Sequence, residues 1–148
     1  MSLFEQGTGQ LQASDIKLEP AEGFAAIALI AVAADDIITT SESRAITTLF
    51  SRMELFSKYS EDDLREMTDK LLGIIKNKDI KPLFDAAVAV VPQELKETLF
   101  AVTTDLVLAD GDLAEEEEQL LNELYGALKI SGEMADKVIE VISIKNKG

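Results

Sequence analysis

Residues 108–128 read LADGDLAEEEEQLLNELYGAL. An Asp-Gly pair, an acidic run and then leucines at helical spacing mark a tight turn that opens an amphipathic helix. From Glu117 the residues Leu121, Leu124 and Leu128 follow at steps of four, seven and eleven. Glu117 therefore heads the stripe that such a helix buries. Glu115 and Glu118 align instead with Gln119 and Asn122 on the wet face, and Glu116 lies at the border. One glutamate of the run is out of place for a merely soluble helix end.

The stretch has an earlier counterpart. Residues 24–53, FAAIALIAVAADDIITTSESRAITTLFSRM, overlay residues 99–128, LFAVTTDLVLADGDLAEEEEQLLNELYGAL, without a gap. Ala34-Asp35 falls on Ala109-Asp110, Ile38 on Leu113, Glu42 on Glu117 and Leu49 on Leu124. Each copy reads as a helical hairpin with acids at its bend, and two hairpins that cannot each bury an apolar face alone are expected to pack together. Asp35 ends the stripe Phe24, Ile27, Ala31, and Asp110 ends the stripe Leu99, Val102, Leu106. Each bend is thus expected to bring one aspartate and one glutamate together on the core-facing side.

Outward from these hairpins the remaining helices are marked by their ends. Pro20 suits a first helical turn, giving a helix to about Ala34. Thr39 with Glu42, and Ser60 with Asp63, are capping-box patterns that open helices to about Met53 and Lys76. Pro82 lies near the start of a short apolar helix ending before Pro92, and Pro92 opens the next, to Ala109. A last helix follows Ser131. No alternating strand appears. The fold class is all-α, about seven helices in a bundle of two pseudo-symmetric hairpin repeats. Residues 1–18 read as a mobile arm and 19–148 as a single domain.

Composition narrows the chemistry. The chain has 148 residues, enough for one real core, and it is 47% hydrophobic with only 5% aromatic residues, so small and aliphatic side chains carry the packing. There is no cysteine, which excludes disulfides and thiolate metal sites and points to a reducing, cytoplasmic home. No basic-plus-apolar leader opens it, and the longest apolar run, Phe24 to Ala34, falls well short of the roughly 20 residues that span a bilayer. The formal charge of −14 repels nucleic-acid phosphate and attracts cations and basic proteins. Histidine is also absent, so any bound metal is held by oxygen, which favours calcium, magnesium or manganese. With no phosphate loop, serine elbow or histidine or cysteine nucleophile, an enzyme is not expected.

The four inward acids have two readings. A glutamate in a first helical turn is favoured by the helix dipole, and Asp-Gly is a common turn pair. This structural account covers Glu42 well. It covers Glu117 less well, because Ala114 cannot cap, and it leaves Asp35 and Asp110 at helix C-termini where negative charge is disfavoured. Two carboxylates about 4 Å apart repel by roughly 4 kcal/mol at an effective dielectric of 20, which backbone donors, a shared proton, a lysine or arginine, or a cation would offset. A calcium-binding EF-hand loop is excluded, because Leu106 and Leu108 stand where its first ligands belong, and Ala31 and Ala33 do in the first copy. All other acids read as a solvated face, and Met53, Met67 and Met134 as core.

The duplicated bends AADDIITTSE and LADGDLAEEE resemble the tellurite-resistance TerB-like family, whose motif is an Ala-Asp-Gly turn, a hydrophobic residue, and a glutamate seven positions after the aspartate. The second copy fits fully; in the first, Asp36 replaces the glycine. The resemblance covers roughly residues 20 to 145. It implies a seven-helix fold with pseudo-twofold symmetry and a role in cytoplasmic stress response. It further implies metal binding through Asp35, Glu42, Asp110 and Glu117, and work with membrane-associated protein partners. The competing function is an acidic helical adaptor that docks a basic or membrane-associated protein, with the bend carboxylates purely structural. A nucleic-acid mimic is a weaker third reading, interrupted by Lys76, Lys78 and Lys81.

Overall fold

A computed structural model describes residues 12–33, 40–77, 79–108 and 115–147, with only the backbone of residues 40–43. The described residues form seven helices and no strand: α1 (Pro20–Ala33), α2 (Thr40–Ser51), α3 (Glu61–Lys76), α4 (Ile80–Val90), α5 (Lys96–Val107), α6 (Glu115–Ala127) and α7 (Gly132–Lys145). All-α with seven helices is the architecture the sequence implies.

Several ends form where the local chemistry puts them. Pro20 is the first residue of α1, and the Glu19 backbone N–H donates to Glu22 Oε1 at 2.9 Å. At α3 both halves of the capping box are made: Asp63 N–H to Ser60 Oγ and Ser60 N–H to Asp63 Oδ2, each 3.0 Å. Ser131 caps α7 through the Met134 N–H at 3.1 Å. Pro92 differs from expectation. Its backbone is extended and a 3-10 turn, Gln93–Leu95, intervenes before α5 begins. Helix α6 ends in a Schellman motif, with Ile130 N–H on the Tyr125 carbonyl at 3.0 Å and Lys129 N–H on that of Gly126 at 3.2 Å. Lys129 sits there at φ 59°.

The core is built around α1. Its buried residues include the unbroken run Phe24 to Ala31, because α2, α3, α4 and α5 all pack on it. The expected stripe Phe24, Ile27, Ala31 is buried, and so is the rest of that run: this helix has no wet face over most of its length. Small residues make that possible. Gly23 faces α4 so closely that a Cβ there would run into Val90 Cγ2 and stand 2.8 Å from the Ala87 carbonyl oxygen. Beyond α2 the chain folds an aromatic cluster into the core, where Phe56 stacks on Phe50 at 4.6 Å and meets Phe24 edge-on at 6.3 Å.

On α5 the buried residues are Leu99, Phe100, Thr103, Thr104 and Val107, whereas Val102 and Leu106 are half-buried. The buried face is thus rotated from the expected Leu99, Val102, Leu106 stripe, because α1, α6 and α7 all pack on this helix. The two stretches that overlay in sequence fall on the consecutive pairs α1–α2 and α5–α6, but their burial differs. Helix α1 is enclosed and α5 is not. Residues 12–18, at the end of the expected arm, include a 3-10 turn, Ala13–Asp15, packed on α4, with Ile16 and Leu18 against the core. Residues 1–11 lie outside the described residues.

Candidate functional site

Of the four acids singled out at the bends, Asp35 and Asp110 lie outside the described residues, as does Ala114. Glu42 stands in the first turn of α2, with its side chain likewise outside them. Glu117 is described in full. It is 5% exposed at the head of the face formed by Leu120, Leu121 and Leu124, while Glu115, Glu116 and Glu118 are exposed. Its register on α6 dictates this, and the residue takes part in a polar interaction there. A buried polar group lacking a hydrogen bond costs roughly 2–7 kcal/mol, so this is a costly place for a carboxylate. Among the described residues no group of three or more acids stands where it could hold a metal ion.

A second polar site has no counterpart in the sequence reading. An open groove of about 490 Å³ runs between the start of α1 and α3. Glu19 and Glu22 come from α1 and the residue before it, Lys58 and Tyr59 from the loop ahead of α3, and Asp63, Glu66, Met67 and Lys70 from α3 itself. Lys70 Nζ pairs with Glu22 Oε2 at 3.0 Å, and the Tyr59 hydroxyl donates to Glu19 Oε2 at 3.3 Å. Glu22 is thus not on the solvated face expected for acids away from the bends: its side chain is 16% exposed. Burial pushes the Tyr59 phenol above its usual 10.0, and the charges of Glu19, Glu22 and Asp63 with the Glu19 hydrogen bond push it further. No spacing rule could have found this groove. Glu22 and Lys70 are 48 positions apart.

No described helix is long and apolar enough to cross a membrane. The molecule is an all-α helical bundle wrapped around one apolar helix, with a buried glutamate opening its sixth helix. The family model for tellurite resistance protein TerB matches residues 21–138, and the chain belongs to that family. No curated protein and no solved structure matches it.

Proposed function

We propose that this chain is a non-enzymatic module of a tellurite-resistance-type stress response in the cytoplasm. It binds a divalent cation (calcium, magnesium or manganese) through Asp35, Glu42, Asp110 and Glu117 at its two hairpin bends. The observation that carries the reading is Glu117, the one acid of its run withdrawn from water to 5% exposure. Family membership and the matching acids of the first bend support it.

Calorimetry and thermal melting with each ion test it. Saturable heat and a rising melting temperature are expected, since an ion at 100 times its dissociation constant stabilises by about 2.7 kcal/mol. Both responses should vanish in Asp110→Asn and in Glu117→Gln proteins shown by circular dichroism to be folded. No heat and no shift at millimolar ion would end the idea.

The second reading is an acidic adaptor for a basic or membrane-associated protein, favoured by the charge of −14 and by the carboxylate-lined groove. On that reading partner affinity falls with added salt, and bend substitutions harm stability more than binding.

A further inference from the structure

We propose that the groove between the start of α1 and α3 seats an arginine or lysine side chain from an extended segment of a partner protein. Its charged head lies at Glu19 and Glu66, and its methylene stem lies along the ring of Tyr59. The proposal rests on the adaptor reading, not on the cation site.

Charge selects the occupant. The lining carries four carboxylates, Glu19, Glu22, Asp63 and Glu66, against the two ammonium groups of Lys58 and Lys70. Lys70 is engaged by Glu22 at 3.0 Å. Glu66 makes no ion pair among the described residues, and Glu19 spends one oxygen on Tyr59. Burial first, and then the charges of Glu19, Glu22 and Asp63, hold the Tyr59 phenol above its usual value. A bare metal ion fits poorly, because no three of these acids converge on a point. An elongated cation with an apolar stem fits better: Tyr59 presents a half-buried ring at the groove.

The test is a titration of the ¹⁵N-labelled protein with the peptide acetyl-Gly-Arg-Gly-Arg-Gly-amide at low salt, followed by amide shifts. Shifts centred on residues 59, 63, 66, 67 and 70 are expected. The Glu19→Gln/Glu66→Gln variant should bind about tenfold more weakly, as two exposed ion pairs allow. A charge-matched control, Glu118→Gln/Glu123→Gln on the exposed face of α6, should change affinity less than about twofold. Shifts elsewhere, or equal weakening in both variants, would overturn the groove assignment while leaving an acidic adaptor standing. Absence of any binding would overturn both.

Discussion

Gly23 on α1 and Ala87 on α4 are in backbone-to-backbone contact: a Cβ at position 23 would stand 2.8 Å from the Ala87 carbonyl oxygen. This contact sets how closely α4 approaches the central helix. Gly23→Ala should destabilise the protein by about 1–3 kcal/mol through overpacking, against its gain in helix propensity. Gly73 on α3 has no atom near its missing Cβ, so Gly73→Ala should stabilise by about 0.5–1 kcal/mol. Urea unfolding of the pair checks this, and matching changes of the same sign would refute the tight contact.

Lys129 ends α6 in the left-handed region, at φ 59°, where a Cβ is strained. Lys129→Gly retains the Schellman hydrogen bonds and removes that strain. The melting temperature should rise, by an amount corresponding to about 1 kcal/mol. A fall would mean that the lysine side chain contributes more than the backbone loses.

Thr103 is fully buried on α5, and its hydroxyl has no hydrogen-bond partner among the described residues. Its neighbour Thr104 differs, donating to the Phe100 carbonyl at 2.8 Å. Thr103→Val keeps the shape and removes the orphaned group, so stability should increase by about 1 kcal/mol. Thr104→Val, which breaks a made bond, should not stabilise. Chemical denaturation of both variants separates the two cases.

Tyr59 offers a pH readout. Its pKa is raised in the folded protein, so the folded state holds the phenolic proton more tightly than the unfolded chain does. That contribution to stability is intact below pH 10 and declines as pH climbs from there through the raised value. In a Tyr125→Phe background the remaining phenol should titrate above 10.0 by ultraviolet absorbance. Adding Glu19→Gln should bring the midpoint down, and an unmoved midpoint would remove Glu19 as a cause.

Glu117 and Glu118 are adjacent in sequence and opposite in environment. Glu117→Ala should cost about 1–3 kcal/mol, since it truncates a buried side chain of a residue that has a polar interaction. Glu118→Ala should stay within about 0.5 kcal/mol of wild type. Equal effects by thermal melting would show that burial does not distinguish them.

What the sequence alone determined is what neighbouring residues settle among themselves. The box at Ser60 and Asp63, Pro20 in a first turn and Ser131 before α7 are contacts within a single turn, so those helix starts were legible. The burial of Glu117 was legible too, because α6 is amphipathic and its leucines declare which side faces inward.

Tertiary packing decided the rest. From Phe24 to Ala31 helix α1 is apolar on every side, so its spacing holds no record of how many helices surround it; only the approach of α2, α3, α4 and α5 makes it the centre. The same packing carries Glu22 to Lys70 and Glu19 to Tyr59, and so makes the groove. Periodicity reports one helix's preference for water or core. Which helices meet depends on side-chain volumes and close approaches, such as Gly23 on Ala87, between residues far apart in the chain.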